Sequence, residues 1–237
     1  MPSLEIVVPA YDEALRLERG FRDLRAWLDG NGFSAVRICI AENGSRDATF
    51  RIAQELADEF AGTRLIRLPK PSLSEALKTA WKTSSAEILG YCDADMSTDV
   101  AHIAEALEIL RERPECVLVS GSRYLPGAQA VGRNWRRRVV SSVYAACVNL
   151  ALGTHFSDSA CGFKFLRRSW FETIAESLVA EKFTLGTELA YLAERRSPGS
   201  LREIPVHWTE CTGTHVRLLS TIFSSARGVL KIRCAHS

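Results

Sequence analysis

Two aspartates, Asp93 and Asp95, directly follow the apolar segment Ile88 to Cys92. An uninterrupted apolar run of this length is typical of a strand buried on both faces, and open α/β sheets bind ligands at the carboxyl ends of their strands. A hard cation such as Mg²⁺ takes oxygen ligands, commonly one or two carboxylates together with substrate phosphates. The pair therefore predicts a metal–diphosphate site at a strand end. A solvated acidic turn is the alternative that these residues alone leave open.

Strands and helices alternate along the first half of the chain. The patterns there predict strands over 4–8, 36–41, 64–68, 88–92 and 117–120, and helices over 12–28, 47–60, 74–85 and 99–113. Such alternation is typical of βαβ units, which build a mostly parallel α/β sheet flanked by helices. The second half is less regular, with helices predicted over 139–152, 171–179, 186–194 and 218–232 and strands over 162–166 and 201–208. Since no repeat or low-complexity linker interrupts the chain, we expect one domain over 1–237.

Composition excludes several classes of protein. The chain has 237 residues, of which 46% are hydrophobic and 24% charged, as is ordinary for a globular protein. Its net charge of +2 is too small to indicate nucleic acid as a partner. The seven cysteines form no CxxC pair and no zinc spacing, which indicates small buried side chains in a reducing compartment.

The chain shows no pattern of a secretion signal or of a membrane span. Its N-terminus enters a strand pattern directly, and the longest apolar candidate, 139–152, is interrupted by polar residues. We therefore expect a cytoplasmic protein. The basic cluster Arg133, Arg136, Arg137 and Arg138 surrounds Trp135. It is either a solvated face or a contact with anionic headgroups, which would place the protein peripherally at the inner membrane face.

Several sequence blocks, taken in order, resemble the family 2 inverting glycosyltransferases of the GT-A fold. Each block is short, but their order and spacing along nearly the whole chain are specific. The later blocks are most similar to the branch of dolichyl-phosphate mannose synthases and other polyprenyl-phosphate glycosyltransferases. The blocks are Val7-Val8-Pro9-Ala10-Tyr11-Asp12-Glu13, Glu42-Asn43-Gly44-Ser45-Arg46-Asp47-Ala48-Thr49, Asp93-Ala94-Asp95, Gly121-Ser122-Arg123-Tyr124, Asp158-Ser159-Ala160-Cys161-Gly162-Phe163-Lys164 and Glu203-Ile204-Pro205-Val206-His207-Trp208.

This resemblance implies a GT-A fold with a nucleotide-binding half (1–115) and an acceptor-binding half (116–237). It implies transfer of a hexose from a GDP- or UDP-linked donor to a polyprenyl or dolichyl phosphate, with Mg²⁺ or Mn²⁺ as cofactor. The metal ligands would be Asp93 and Asp95, with Ser97 in the place of a third. Because the acceptor phosphate is already ionised, the reaction needs no strong general base.

The resemblance also implies roles for residues outside the metal motif. Asp95 would be catalytic together with Arg123, which would contact phosphate, and Asp158, which would face the sugar or acceptor. Arg137 and Ser141, which share a helix face at i, i+4, would contact the acceptor phosphate. His215 would stand near the diphosphate as a basic residue. The remaining donor-binding residues would be Pro9, Tyr11, Glu13, Ala41, Glu42, Asn43, Ala94 and Met96.

Two departures from the family pattern, and the lack of a membrane-span pattern, leave other functions open. Asn43 stands where an aspartate commonly binds the base, and Ser72-Leu73-Ser74 replaces Gly-Lys-Gly, so that a plain helix N-cap is favoured there. One alternative is a soluble glycosyltransferase that acts on a glycan or small-molecule hydroxyl. It would require a carboxylate base, for which Asp158 is the first candidate. The other is an inactive homologue that binds nucleotide sugars.

Overall fold

The computed structural model describes residues 2–132, 135–210 and 218–236, without the side chains of 135–140, 144 and 218–226. The strands of this part are β1 (Leu4–Ala10), β2 (Arg37–Glu42), β3 (Thr63–Arg67), β4 (Ile88–Cys92), β5 (Leu118–Ser122), β6 (Gln129–Val131), β7 (Phe163–Arg167), β8 (Leu201–Pro205) and β9 (His207–Thr209). Its helices are α1 (Leu17–Gly30), α2 (Thr49–Glu59), α3 (Leu73–Lys82), α4 (His102–Glu112), α5 (Trp135–Leu152), α6 (Arg168–Ile174), α7 (Leu185–Arg196) and α8 (Leu218–Ala235).

Seven strands form one sheet in the order β3-β2-β1-β4-β7-β5-β8, and β6 pairs with β9 in a small second sheet. All neighbours in the large sheet are parallel except β7, which runs antiparallel to both β4 and β5. The expectation of a mostly parallel sheet is therefore confirmed. Because β1, β2 and β4 are parallel neighbours, their carboxyl ends meet at one edge, and the Asp93–Asp95 segment lies there.

The central strands are buried on both faces by helices. In β1, Ile6 and Val8 belong to the hydrophobic cluster that also contains buried residues of α1, α2 and α4, whereas Val7 belongs to the cluster formed with α3, α6 and α7. In β4, every residue from Ile88 to Cys92 is buried, as the uninterrupted apolar run predicts. This two-sided burial holds the strand that carries the aspartate pair.

The first helix begins later than the sequence pattern predicts. The prediction began it at Asp12, but α1 starts at Leu17. Asp12 has φ 52°, outside the right-handed helical region, and the amide of Glu13 donates to the hydroxyl of Thr49 at 2.8 Å. These long-range contacts place residues 12–16 in a loop at the carboxyl edge of the sheet.

Two predictions in the second half are also corrected. The strand predicted over 201–208 is divided at Val206, because Pro205 has no amide hydrogen to donate and the chain then leaves β5 to pair with β6. The helix predicted to end at Val179 ends at Ile174, and the amides of Val179 and Ala180 donate to Glu188 on α7 and not within a helix.

The helices α5 and α8 pack against α7 through a third apolar cluster. The helix predicted from residue 139 begins earlier, at Trp135, and α8 extends beyond the predicted residue 232 to Ala235. Among the described residues, no helix combines the length and the hydropathy needed to cross a bilayer.

One glycine determines how closely α1 approaches the loop after β4. A Cβ at Gly20 would lie 2.2 Å from the carbonyl oxygen of Ala94. Glycine to alanine normally stabilises a helix by about 1 kcal/mol, but overpacking a core costs about 1–3 kcal/mol. Because the clash outweighs the gain, we expect Gly20→Ala to lower the free energy of unfolding by up to about 2 kcal/mol, measured by urea denaturation.

Gly30 provides the matched control, because a Cβ at this position of the same helix would meet nothing within 4 Å. We expect Gly30→Ala to leave the free energy of unfolding unchanged or to raise it by up to about 1 kcal/mol. A stabilised Gly20→Ala protein, or equal effects of the two substitutions, would contradict the close packing of α1 on the loop after β4 that carries Asp93 and Asp95 (the aspartate loop).

Candidate active site at the carboxyl edge of the sheet

The loops that follow β1 and β2 are bonded to each other. The amide of Asp12 donates to the hydroxyl of Ser45 at 3.1 Å, and the amide of Ala14 donates to the carboxylate of Asp47 at 3.2 Å. Together with the bond from Glu13 to Thr49, these contacts form one wall of the site. Tyr11 and Glu13 therefore lie in a loop that hydrogen bonds hold in place, and 36% of Tyr11 is exposed.

Glu42 and Asn43 are buried where β2 ends, and their side chains are bonded to protein groups. The carboxylate of Glu42 accepts the amide of Ser45 at 2.5 Å and the guanidinium of Arg67 at 3.1 Å. The side-chain oxygen of Asn43 accepts the amide of Ser72 at 2.8 Å. These contacts support the surrounding turns, so that contact of either side chain with a nucleotide base stays a prediction.

Other predicted residues of this edge lie within or next to the strands. Pro9 belongs to β1 and is in register with Ala41 of β2, which is fully buried. Ser72 is the N-cap of α3, and its hydroxyl accepts the amide of Glu75 at 3.3 Å. The N-cap predicted for Ser72-Leu73-Ser74 is therefore confirmed.

The Asp93–Ser97 loop is held by hydrogen bonds at both aspartates. The hydroxyl of Tyr91 donates to Asp93 Oδ1 at 2.7 Å, and the amide of Ser97 donates to Asp95 Oδ1 at 3.0 Å. Met96 takes a left-handed conformation with φ 48°, which turns the chain sharply after Asp95. Ser97 is 6% exposed, and its carbonyl accepts the amide of Thr209 at 2.8 Å. These contacts fix the spacing of the aspartate pair.

Ala94 and Met96 contact α1. The carbonyl of Ala94 lies against Gly20, the side chain of Ala94 is 4% exposed, and Met96 packs on the apolar cluster beneath α1. Between them, Asp95 is half-buried. Direct contact of Ala94 or Met96 with a donor stays a prediction.

The pKa values of Asp93 and Glu13 are both raised at this edge. Burial and the charge of Asp95 raise the pKa of Asp93, against the opposing effects of Tyr91, Arg123 and Lys164. Burial also raises the pKa of Glu13, and the charges of Asp95 and Asp93 add to this effect, although Arg16 opposes it. Because neighbouring carboxylate charges contribute to both shifts, added positive charge would favour the ionised forms of Asp93 and Glu13.

The donor set fits a cation that arrives with further oxygen ligands. Among the described residues, no group of three His, Cys, Asp or Glu side chains forms a complete metal cage. Mg²⁺ in enzymes commonly binds one or two carboxylates and completes its shell with substrate phosphates and water. Asp93 and Asp95 supply such a pair, whereas the described contacts of Ser97 are those of its backbone.

Arg123 and Asp158 form a buried ion pair. Arg123 donates from Nε to Asp158 Oδ2 at 2.7 Å and from Nη2 to Oδ1 at 2.9 Å, and its backbone amide adds a third bond at 3.1 Å. Burial alone would raise the pKa of Asp158, which is 3% exposed, but the charge and hydrogen bonds of Arg123 hold that pKa below its ordinary value. Both carboxylate oxygens are therefore engaged by one guanidinium.

Glu203 and Trp208 complete the surroundings of this ion pair. Glu203 accepts the amides of Ser157 and Asp158 at 2.7 and 3.0 Å, and the guanidinium of Arg123 stands 5.6 Å from the ring of Trp208. Both residues belong to the last of the sequence blocks, Glu203 to Trp208, but the sequence predicted no role for either of them. Their membership of this block was the one sequence feature that could have indicated a place in the site.

Three predicted acceptor or diphosphate residues are only partly described. Arg137 and Ser141 both belong to α5, as predicted, and Ser141 is half-buried. The side chain of Arg137 and the whole of Arg133 and His215 lie outside the described residues. Their predicted contacts therefore stay predictions.

Comparisons with known proteins identify a family and several relatives to which this chain is similar. The model of the family named Glycosyl transferase family 2 matches residues 5–175. The glycosyltransferase AglD of Haloferax volcanii is 30% identical over 96% of this chain, which spans 36% of AglD. A dolichyl-phosphate beta-glucosyltransferase of Dictyostelium discoideum is 25% identical over 97% of this chain, which spans 73% of that relative.

A solved structure confirms the fold. Glucosyl-3-phosphoglycerate synthase from Mycobacterium tuberculosis, in complex with Mn²⁺, UDP and glucosyl-3-phosphoglycerate, superposes with a TM-score of 0.71 at 18% identity. The match covers 98% of this chain and 80% of that one. With the observed sheet order, this likeness confirms the predicted GT-A fold.

The Arg123–Asp158 pair generates a stability prediction. Removing one partner of a buried ion pair strands the other charge, at a cost of about 3–5 kcal/mol. We expect Arg123→Met to lower the free energy of unfolding by this amount, measured by urea denaturation at pH 7.

Arg51→Met is the control, because Arg51 pairs with Glu55 on the surface of α2 and 67% of its side chain is exposed. We expect this substitution to cost at most about 0.5 kcal/mol. If Arg123→Met were no more destabilising than Arg51→Met, Asp158 would not depend on Arg123 for its charge.

Proposed function

The chain belongs to glycosyl transferase family 2, and from this premise we propose that it transfers a hexose, with inversion, from a nucleotide sugar to a polyprenyl phosphate. The name of the Dictyostelium relative, a dolichyl-phosphate beta-glucosyltransferase, supports this acceptor class. The observation in the structure that carries the proposal is the buried ion pair in which Arg123 binds both carboxylate oxygens of Asp158.

The bonding of Asp158 favours an acceptor that needs no base. A hydroxyl acceptor must lose a proton during transfer, and Asp158 is the first candidate to take it. However, Asp158 is buried, both of its oxygens accept from Arg123, and its lowered pKa makes it a weak base. A phosphate acceptor is already ionised at neutral pH and attacks the anomeric carbon without proton removal. We therefore favour phosphate over a sugar hydroxyl.

Asp93 and Asp95 would hold the donor's diphosphate through a divalent cation. Mg²⁺ or Mn²⁺ bound there would neutralise the charge that develops on the leaving nucleotide. The raised pKa values of Asp93 and Glu13, to which the charge of Asp95 contributes, support such a binding site. The Mycobacterium enzyme was solved with Mn²⁺ and UDP, which supports a UDP-linked donor as the first to test beside a GDP-linked one.

The loops after β1 and β2 would hold the nucleoside. Pro9, Tyr11 and Glu13 form one side of this surface, and Ala41, Glu42 and Asn43 end the neighbouring strand. We propose that residues 1–115 bind the donor and residues 116–237 the acceptor, within a single domain. The large sheet supports a single domain because β7, from the second half, lies between β4 and β5.

The acceptor phosphate would be bound on the α5 side by Arg137 and Ser141, whereas His215 would stand near the diphosphate of the donor. Since a polyprenyl chain resides in a bilayer, we propose that the protein acts from the cytoplasm as a peripheral protein and that the basic cluster 133–138 faces the headgroups. Co-sedimentation with anionic but not with neutral vesicles tests this contact, and equal sedimentation with both would contradict it.

The central prediction concerns Asp95. We expect wild-type protein with Mn²⁺ and a UDP-hexose to transfer radiolabelled sugar to a polyprenyl phosphate and not to the corresponding polyprenol. Asp95→Asn keeps the size of the side chain but removes its charge, so that we expect the rate to fall by about 100-fold or more. The measurement is the label extracted with the lipid per unit time.

Asp99→Asn is the matched control, because Asp99 lies on the same segment but is exposed and caps the amide of Ala101. We expect it to retain the wild-type rate within about twofold, as is typical of surface changes. Transfer to polyprenol, or full activity of Asp95→Asn, would contradict the proposal. Metal-dependent binding of donor without any transfer would favour the inactive homologue.

A further inference from the structure

Tyr91 is a buried residue with a polar group at the edge of the proposed metal site. It lies in β4, is 6% exposed, and packs in the apolar cluster on the α3 side of the sheet. Its hydroxyl donates to Asp93 Oδ1 at 2.7 Å.

The second oxygen of Asp93 is confined by a glycine. A Cβ at Gly162 would lie 1.8 Å from Asp93 Oδ2, so that the carboxylate occupies the space that a side chain at 162 would fill. The amide of Asp93 also donates to the carbonyl of Gly162 at 3.1 Å. The carboxylate is therefore held between the hydroxyl of Tyr91 and the backbone of the turn before β7.

Lys164 fixes that turn from beneath. It is the cross-strand partner of Tyr91 in the β4–β7 pair and is 1% exposed. Its ammonium donates to the carbonyl of Cys161 at 2.6 Å, and α7 closes over it at Gly186. A lysine is buried at a cost unless it has a partner, so that the bond to Cys161 anchors the turn carrying Gly162.

We propose that Tyr91 is a positioning residue, which sets the rotation of the Asp93 carboxylate and thereby the affinity of the Asp93–Asp95 pair for a divalent cation. The inference rests on the proposed function. Groups that hydrogen-bond a metal-binding carboxylate fix its orientation, and losing one typically weakens metal binding by about 10–100-fold. Because the hydroxyl bonds to Asp93, Tyr91 itself would touch neither donor nor acceptor.

The test is Mn²⁺ titration of Tyr91→Phe, in the presence of saturating UDP, with unbound Mn²⁺ measured by electron paramagnetic resonance. Removing one hydroxyl leaves the aromatic packing in place, and a thermal melt checks that the variant is folded. We expect the dissociation constant for Mn²⁺ to rise by about 10–100-fold. Tyr191→Phe is the matched control, since Tyr191 is also buried but its hydroxyl accepts from Arg195 at 2.9 Å, on α7. We expect its Mn²⁺ affinity to equal that of the wild type.

A double-substitution cycle separates positioning from a general effect on the fold. If Tyr91 acts through Asp93, Tyr91→Phe has no further effect on Mn²⁺ affinity in an Asp93→Asn protein. Unchanged affinity in the single variant, or an equal loss in both backgrounds, would overturn the inference while leaving the proposed function intact. A wild-type protein that binds no Mn²⁺ with UDP would instead overturn the proposed function.

Discussion

Three carboxylates, those of Glu13, Asp93 and Asp95, interact electrostatically at the carboxyl edge of β1 and β4. The charge of Asp95 contributes to the raised pKa of Asp93, and the charges of both aspartates contribute to the raised pKa of Glu13 in the neighbouring loop. Buried like charges are unfavourable, and the fold opposes them with Arg16 on one side and with Arg123 and Lys164 on the other. Further positive charge at this edge would favour the ionised carboxylates, which is why we propose that a divalent cation binds here together with the donor's diphosphate.

The packing around this edge serves to hold the aspartate loop in one position. α1 approaches so closely that only glycine fits at Gly20, and the turn before β7 approaches so closely that only glycine fits at Gly162. From the other side, β9 binds the loop through the amide of Thr209 and the carbonyl of Ser97. Elements far apart in sequence thus restrain one short segment, as a preorganised binding site requires.

The structure joins Arg123 and Asp158 in one ion pair, whereas the sequence suggested a separate role for each of them. As separate residues, an arginine after one strand and an aspartate before another suggest a phosphate contact and a base. As a bidentate buried pair, they neutralise each other and hold this part of the site in place, with Glu203 accepting the backbone amide of Asp158. This pairing is what favours an ionised acceptor in our account.

Local patterns predicted much of this fold. The burial of β4, the N-cap at Ser72 and the alternation of strands and helices follow from short-range rules of burial and capping. The loop over residues 12–16, the division of the last strand at Val206 and the strand β6 depend on partners far away in sequence, and no local pattern encodes them. Likewise, the bonds of Asp158 to Arg123 and of Tyr91 to Asp93 became visible only once the sheet had brought these residues together.

The most direct test of the account is calorimetric titration of the wild-type protein with UDP-hexose, in Mn²⁺ and again in excess EDTA. If the carboxylates at the sheet edge bind the diphosphate through a cation, binding is measurable with Mn²⁺ and is lost, or weakened by at least about tenfold, in EDTA. Equal affinity under both conditions would contradict the central claim, because the aspartate pair would then repel the diphosphate and could not be its binding site.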